Sequence, residues 1–269
     1  MIKNFIQRTL TGFLFVVSIL LSIYFQPTYY TFSGLFFVFA GIGLFEFYRI
    51  ANLNKGVSMP STLAIITGLV LYVSSFLMAV GLAHYSILVV YAVCMVGLII
   101  LELYRNKPNP FHNIAFIFLG QLLIAFPFSI LNAIAFAAEP LWLFALFMLI
   151  WVYDSWAYIT GITLGKNRMF ARISPKKSWE GFAGGFIFTL IASSIFAYFT
   201  PDIATWKWLL FGVLIVLFGT WGDLTESLLK RSVEIKDSGN LLPGHGGVLD
   251  RFDSLLLLAP IVYFFLELI

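Results

Sequence analysis

The sequence predicts an all-α integral membrane protein that crosses the bilayer about nine times. Of its 269 residues, 61% are hydrophobic and only 11% are charged, whereas soluble domains carry about 25% charged residues. Apolar stretches close to the ~20 residues needed to span hydrocarbon recur along the whole chain. Lys and Arg residues gather in alternate connections between these stretches, as in other multi-pass proteins.

The nine predicted spans follow from the lengths of the apolar stretches. The last is short and needs neighbouring helices to anchor it. The predicted spans are 9–26, 31–48, 61–79, 85–103, 114–133, 141–163, 181–199, 207–224 and 254–268.

The distribution of basic residues predicts the orientation of the chain. Of the 16 Lys and Arg residues, only Lys207 falls in a connection on the side opposite to the others. Because basic loops stay in the cytoplasm, the N-terminus is predicted to be cytoplasmic and the C-terminus to lie on the outer side.

The polar connections predict that the chain has two regions with different functions. Residues 1–110 are predicted to form a scaffold of transmembrane helices with almost no buried polar groups. Residues 111–269 are predicted to form a catalytic region with two long cytoplasmic connections, at 164–180 and 225–253. The single cysteine, Cys94, excludes an intramolecular disulfide and a cysteine-rich metal site.

The densest polar segment of the chain extends from Ser227 to Asp253 and combines aspartates, basic residues, glycines and a histidine. Ionisable groups beside a bilayer are costly and usually functional. Carboxylates can hold a divalent cation, basic side chains can hold phosphate, and glycines let the backbone approach a ligand. The segment therefore predicts a phosphate and metal site against the membrane.

Aspartates on either side of this segment are the candidate metal ligands. Asp223 lies near the cytoplasmic end of the eighth span, and a continuing helix brings Glu226, Ser227 and Lys230 onto its face. The alternative is a helix end whose charged side chains reach for water. Asp250 and Asp253 precede the last span, where helix capping is the alternative role. A simple ion pair with Arg251 is a further alternative for Asp250.

The glycine-rich turn at residues 243–247 leads toward a helix start. Backbone N–H groups of Gly244, Gly246 and Gly247 could form an anion-binding nest, although many loops contain such turns. His245 has two open roles, donating to phosphate or bracing the loop.

A second polar cluster lies at residues 172–181. Ser174, Lys176, Lys177 and Ser178 suit a triphosphate, and a plain positive-inside loop is the alternative. Asp154 lies deep in the sixth span, where a carboxylate is costly unless it is paired or hydrated. A functional role is favoured there over a local hydrogen bond.

Two motifs carry a resemblance to a known family. The run Ser227-x-x-Lys-Arg-x4-Lys-Asp-Ser-Gly-x2-Leu-Pro-Gly-His-Gly-Gly-x-Leu-Asp-Arg-x-Asp253 resembles the signature of phosphatidate cytidylyltransferases, also called CDP-diacylglycerol synthases. The segment Ser174-Pro-Lys-Lys-Ser-Trp-Glu-Gly181 is similar to that family's second polar motif. The hydrophobic plan is similar over the whole chain.

The resemblance implies a reaction and a setting. CTP and phosphatidic acid would give CDP-diacylglycerol and pyrophosphate in phospholipid biosynthesis. It also implies Mg²⁺ dependence, with a second cation as an open alternative, and a homodimer in the bacterial inner membrane whose active site faces the cytoplasm. No nucleic-acid partner is expected. A membrane transporter of an anionic substrate is the alternative function, although the inverted repeats common in transporters are not visible.

The resemblance also assigns roles by motif position. Asp223 and Asp250 would bind the metal. The chemistry of the charged residues adds the expectation that Asp237 or Asp253 supports them. The expected catalytic residues are Asp223, Asp250, Lys230, Arg231, Asp237 and Asp253. The expected substrate-binding residues are Ser174, Lys176, Lys177, Ser178, Ser227, Lys236, Gly244, His245, Gly246, Gly247, Arg251 and Asp154.

Overall fold

The structure is almost entirely helical, as predicted. The computed structural model describes residues 2–137, 140–239, 241 and 246–269, and the side chains from Thr9 onward apart from that of Ala137. The helices are α1 (Ile2–Tyr29), α2 (Thr31–Ala51), α3 (Ser61–Ala79), α4 (Leu88–Tyr104), α5 (Pro110–Gly120), α6 (Phe126–Ala137), α7 (Pro140–Leu164), α8 (Trp179–Phe199), α9 (Thr205–Ser232), α10 (Leu249–Phe252) and α11 (Leu255–Leu268). A short 3₁₀ turn (Tyr85–Ile87) precedes α4, and a π-helical turn (Gln121–Ala125) joins α5 to α6.

The helix lengths identify a multi-pass membrane protein. Among the described residues, eight helical stretches are long and apolar enough to cross a bilayer. They are Thr9–Tyr29, Thr31–Ala51, Ser61–Ala79, Tyr85–Tyr104, Pro110–Phe136, Pro140–Leu164, Trp179–Phe199 and Thr205–Ser232. The ninth predicted span corresponds to α11, which has 14 residues. At 1.5 Å per residue α11 is only ~21 Å long, against ~30 Å of hydrocarbon. The orientation of the termini stays a prediction.

The chain divides into two compact units. The N-terminal unit comprises Met1–Pro140 and Ser232–Phe252, and the C-terminal unit comprises Leu141–Arg231 and Asp253–Ile269. Most of the polar segment that precedes α11 therefore belongs to the same unit as the first six helices. The predicted functional division, with scaffold at 1–110 and catalytic region at 111–269, stays a prediction.

A cluster of aromatic rings fixes the short helix α10 in the N-terminal unit. Phe252 is 2% exposed, and its ring centroid lies 5.1 Å from that of Phe39 and 5.3 Å from that of Phe36. Phe15 of α1 and Phe128 of α6 complete the contacts, each at 5.5 Å. Tilted and edge-to-face ring pairs at such distances are favourable beyond their buried area. The end of the polar segment is thus anchored on three helices.

The N-terminal unit also buries polar side chains. Gln26, Glu46 and Glu102 are buried within residues 1–110, so the expectation of almost no buried polar groups there was wrong. Gln121, in the π-helical turn, donates to Tyr48 Oη at 2.9 Å and to the Ala64 carbonyl at 2.8 Å. Glu102 of α4 accepts a hydrogen bond from Asn113 Nδ2 at 2.5 Å and pairs with Arg105. A polar group in hydrocarbon must be satisfied within the protein, and these groups satisfy one another.

Small side chains bring α7 and α8 close together in the C-terminal unit. The buried face of α8 carries Gly181, Gly185, Thr189, Ser193 and Ala197, one residue every four. Small residues at this spacing let membrane helices approach closely. A Cβ atom on Gly185 would lie 2.7 Å from the ring of Tyr153. This contact leaves no room for a larger residue.

A two-stranded antiparallel hairpin connects α7 to α8. Strand β1 (Arg168–Phe170) pairs with strand β2 (Ser174–Ser178), and the register shifts once between them. The sequence had predicted only a loop for this connection. The hairpin matters because β2 carries both lysines of the second polar cluster.

Candidate active site

Asp223 lies on α9 in the C-terminal unit and is held from two sides. Its carboxylate forms an ion pair with Lys177 of β2, and 27% of its side chain remains exposed. Ser227 Oγ donates to Asp223 Oδ1 at 3.2 Å, one helical turn further on. This confirms the predicted helix face, and it confirms that the 164–180 connection and the end of the eighth span lie on the same side of this unit.

The hairpin gives its two lysines different surroundings. Successive side chains on a strand point to opposite faces. Lys177 faces Asp223 and is partly buried, whereas Lys176 is exposed. The two side chains therefore differ in burial and in partner, although their positions in the sequence look equivalent.

A second acid–base pair lies further along α9. Lys230 Nζ is 2.5 Å from Glu226 Oε2, and the two side chains are 9% and 2% exposed. Arg231 is exposed, and its Nε donates to the Ile173 carbonyl in the turn of the hairpin at 3.3 Å. Lys230, predicted to be a phosphate ligand, is thus paired with a carboxylate of its own helix.

Gly222 lets the start of the last helical segment approach α9. A Cβ atom on Gly222 would lie 2.5 Å from the Asp253 carbonyl oxygen and 2.9 Å from that of Ser254. Because only glycine leaves this space, Asp253 is held beside the turn of α9 that carries Asp223.

Asp253 is surrounded by negative charge. Although part of its surface stays accessible, desolvation and the carboxylates of Asp223, Glu226 and Asp154 raise the pKa of Asp253 well above its usual range, and Lys177 opposes them. Carboxylates that crowd together in this way favour the binding of a cation, which would offset their repulsion.

The donor set fits a magnesium site of the kind that protein and substrate share. Within the described ranges, no three or more His, Cys, Asp and Glu side chains are arranged to hold a metal ion by themselves. Magnesium usually takes only one or two carboxylates and completes its shell with water and phosphate oxygens. Asp223, which is partly exposed and on the crowded side of α9, suits that mode.

Asp250 organises the polar segment of the N-terminal unit. Its carboxylate accepts hydrogen bonds from the Ser238 backbone N–H at 2.9 and 3.1 Å and from the Gly247 N–H at 2.8 Å. Gly246 adopts φ +87°, and a Cβ atom there would lie 2.6 Å from Asp250 Oδ2. Glycine is therefore required at this position for both conformation and space.

Glu46 of α2 also binds this segment, and the sequence analysis did not identify it. The side chain is 3% exposed and accepts hydrogen bonds from Ser238 Oγ at 2.9 Å, Val248 N at 3.1 Å and Leu249 N at 2.9 Å. A carboxylate at the N-terminus of a helix satisfies N–H groups that lack partners within the helix. The signal was present in the sequence, because Glu46 is a carboxylate inside the second predicted span.

Ser178 caps α8. Its Oγ accepts a hydrogen bond from the Gly181 N–H at 3.1 Å, and the residue is 3% exposed. The next acidic residue, Glu180, accepts hydrogen bonds from the backbone N–H groups of Lys166 and Asn167. Both side chains thus shape the junction between hairpin and helix.

The remaining predicted residues differ in exposure. Ser174, Ser227 and Gly246 are partly buried, and Gly247 is buried. The exposed residues are Asp154, Lys176, Arg231, Lys236, Asp237 and Arg251. Gly244 and His245 lie outside the described residues. Asp223 and Asp250 belong to different units, so their joint binding of one metal ion stays a prediction.

Comparison with known proteins places the chain in a family. A family model described as "Cytidylyltransferase family" matches residues 6–269. The chain belongs to the cytidylyltransferase family. A protein of Bacillus subtilis (strain 168) named phosphatidate cytidylyltransferase is 36% identical over 270 residues, which cover 97% of each chain. Proteins of the same name from Staphylococcus saprophyticus and Staphylococcus aureus (strain COL) are 44% and 45% identical over 43% of this chain and 45% of their own.

Membership of the cytidylyltransferase family favours an enzyme over a transporter. The carboxylates and paired lysines of the C-terminal unit are groups of the kind that can hold a cation and phosphate. The family resemblance first drawn from residues 174–181 and 227–253 is thereby confirmed over the whole chain.

Proposed function

We propose that this protein transfers the cytidylyl group of CTP to phosphatidic acid, giving CDP-diacylglycerol and pyrophosphate. The single observation that carries the proposal is the similarity, over 97% of the chain, to a protein named phosphatidate cytidylyltransferase. The charged groups gathered around Asp223 support it independently.

The reaction exchanges one phosphorus–oxygen bond for another. A phosphate oxygen of phosphatidic acid attacks the α-phosphorus of CTP, and the bond from that phosphorus to the bridging oxygen of the pyrophosphate breaks. The attacking oxygen already carries negative charge, so no strong protein base is needed. The protein must bring two polyanions together and stabilise the charge that develops on the leaving group.

The basic residues supply most of the charge that this task requires. Lys177 is partly exposed beside Asp223, where it can serve both the carboxylate and a phosphate oxygen. The other proposed phosphate ligands are Lys176, Lys230, Arg231, Lys236 and Arg251. Of these, Lys230 is paired with Glu226 and would bind phosphate beside this partner.

We propose Asp223 and Asp250 as the magnesium ligands, supported by Asp237 or Asp253. Carboxylate oxygens suit this hard cation, and the carboxylate crowding around Asp253 supports a cation near Asp223. Backbone N–H groups of Ser238 and Gly247 hold the Asp250 carboxylate in a fixed orientation. When bound, magnesium would neutralise triphosphate charge and orient the leaving group.

The proposed setting is the bacterial inner membrane, with the active site facing the cytoplasm. The basic connections support this orientation. Phosphatidic acid would reach the site from the cytoplasmic leaflet with its acyl chains still in the bilayer. We also propose that the protein is a homodimer.

The test is a transfer assay in detergent micelles with labelled CTP, phosphatidic acid and Mg²⁺. We expect a labelled lipid and released pyrophosphate, and loss of both when EDTA removes the metal. Detergent micelles do not separate two compartments, so a transporter would produce no labelled lipid in this assay.

Asp223→Asn and Asp250→Asn test the metal ligands, each checked for folding by thermal unfolding. We expect activity to fall by about 10²- to 10³-fold, the range for losing one preorganised group that stabilises developing charge. Asp202→Asn, an exposed position between α8 and α9, is the control and should keep full activity. Near-normal turnover in both aspartate variants would contradict the metal assignment, whereas an inactive wild-type protein would contradict the function itself.

A further inference from the structure

We propose that Glu46 is a positioning residue that fixes the Asp250 segment, Ser238–Asp250, for cytidylyl transfer. Glu46 lies in a transmembrane helix and outside both polar motifs of the sequence. The inference rests on the proposed function for its kinetic consequences, but its structural basis lies wholly within the N-terminal unit.

The hydrogen bonds of Glu46 attach both ends of the segment, at Ser238 and at Val248 and Leu249, to helix α2. Oε2 accepts from Ser238 Oγ and from the Leu249 N–H, both at 2.9 Å, and Oε1 accepts from the Val248 N–H at 3.1 Å. All three donors belong to the segment. One side chain therefore sets both where the segment begins and where α10 begins.

Glycines let the segment close around this carboxylate. A Cβ atom on Gly247 would lie 2.6 Å from Glu46 Oε1 and closer still to Oε2 and to Ser238 Oγ. A Cβ atom on Gly239 would also clash with Oε1, and it would lie 3.3 Å from the Gly247 Cα. Two glycines of the signature are thus explained by a residue far away in the sequence.

Ser238 connects Glu46 to Asp250. Its Oγ donates to Glu46, its backbone N–H donates to Asp250, and its carbonyl accepts a hydrogen bond from Arg49 at 2.5 Å. Arg49 lies one turn after Glu46 on α2. A change at Glu46 therefore reaches the Asp250 carboxylate through one intervening residue, which is 0% exposed.

Replacing Glu46 with glutamine cannot preserve these bonds. A glutamine side chain has one oxygen and one NH₂ group, and the NH₂ group cannot accept a hydrogen bond. Because Val248 N and Leu249 N approach different oxygens, one of these N–H groups must face a donor in either orientation of the amide. The segment must then shift or lose a bond, whereas Glu46→Asp keeps two acceptors.

The first measurement is amide hydrogen exchange of the purified full-length protein without substrates. In Glu46→Gln we expect exchange at Ser238, Gly247, Val248 and Leu249 to rise by about tenfold or more, as a lost buried acceptor implies. Glu102→Gln is the matched control, because Glu102 is also a buried glutamate of this unit that accepts from a side-chain amide. It should leave exchange in the segment unchanged.

The second measurement is the steady-state kinetics of transfer. We expect Glu46→Gln to lower kcat by about tenfold and to raise the Mg²⁺ concentration for half-activation by about tenfold, with a smaller change in KM for CTP. Glu46→Asp should recover a large part of both values. A loss of folded protein alone would lower kcat without moving the Mg²⁺ dependence.

The outcomes separate this inference from the proposed function. Unchanged exchange in Glu46→Gln, or an equal rise in Glu102→Gln, overturns the positioning role even if the wild-type protein is active. A rise confined to Glu46→Gln supports the role even if the wild-type protein transfers no cytidylyl group. If Glu46→Gln fails to fold, the test uses Ser238→Ala, which removes one of the three donors. We expect this variant to show the same changes in exchange to a lesser degree. Unchanged exchange in Ser238→Ala would overturn the inference.

Discussion

Lys177 of strand β2 forms an ion pair with Asp223 of α9. The pair connects the hairpin before α8 to the polar end of α9, so it fixes the two clusters of the C-terminal unit relative to each other. Its partners retain 29% and 27% of their side-chain exposure. A substrate phosphate can therefore reach both residues without the pair having to break.

We expect Lys177 and Asp223 to be energetically coupled, and Lys176 to be independent of Asp223. For the partly exposed pair, the coupling in a double-mutant cycle of Lys177→Met and Asp223→Asn should be about 0.5–1 kcal/mol. The measurement is thermal unfolding in detergent of the two single variants and the double variant. The same cycle with Lys176→Met is the control and should be additive, and equal coupling in both cycles would contradict the assignment of the two strand faces.

Gly247→Ala should destabilise the protein, whereas Gly97→Ala should not. An added Cβ atom at Gly247 meets the carboxylate of Glu46, and such overpacking costs about 1–3 kcal/mol. At Gly97, in α4, nothing lies within 4 Å, and alanine is the better helix former. Unfolding temperatures measured side by side decide the matter, and an equal loss in both variants would mean that the segment does not close on Glu46.

Ser178→Ala should act on stability more than on CTP binding. The Ser178 hydroxyl accepts the Gly181 N–H at the start of α8, and losing such a cap costs about 1 kcal/mol. Ser178→Thr keeps the hydroxyl acceptor and should retain more of the unfolding temperature than Ser178→Ala. If instead KM for CTP rises strongly in both variants while stability is unchanged, Ser178 contacts the nucleotide as first predicted.

Asp253→Asn should change the pH dependence of stability. The raised pKa means that folded Asp253 holds its proton above pH 3.8, the ordinary value at which the unfolded side chain releases it. Protonated Asp253 therefore contributes to the free energy of unfolding at low pH, and the wild-type protein loses this contribution as pH rises from 3.8 through the folded pKa. The asparagine variant has no such loss. We expect the unfolding temperature of Asp253→Asn relative to wild type to increase with pH. A difference that is independent of pH would contradict the raised pKa.

The sequence predicted the helices and the polar end of the C-terminal unit for simple physical reasons. Apolar length determines which stretches can span hydrocarbon, and helical spacing places Ser227 beside Asp223. The positive-inside pattern places both Lys176 and Lys177 on the membrane side where Asp223 lies. It does not predict that Lys177, and not Lys176, pairs with Asp223. That choice depends on strand β2, whose five residues contain proline and lysine and lack the apolar alternation typical of strands.

The role of Glu46 could not be derived from local patterns. A glutamate in an apolar helix indicates that a partner exists, but it does not indicate which one. The partners lie 192 to 203 residues away in the chain. The buried pairs of Gln121 and Glu102 were missed for the same reason, since hydrophobic periodicity reports which residues face the interior and not which polar groups meet there.

The hydrogen bond between Glu46 and Leu249, separated by 203 residues, has a consequence for biosynthesis. At about 5–20 residues per second, the ribosome produces Leu249 roughly 10–40 s after Glu46. Throughout that interval α2 carries a carboxyl group whose donors in the folded protein have not yet been synthesised. The hydrogen bonds of Glu46 can therefore form only after nearly the whole polypeptide has been synthesised.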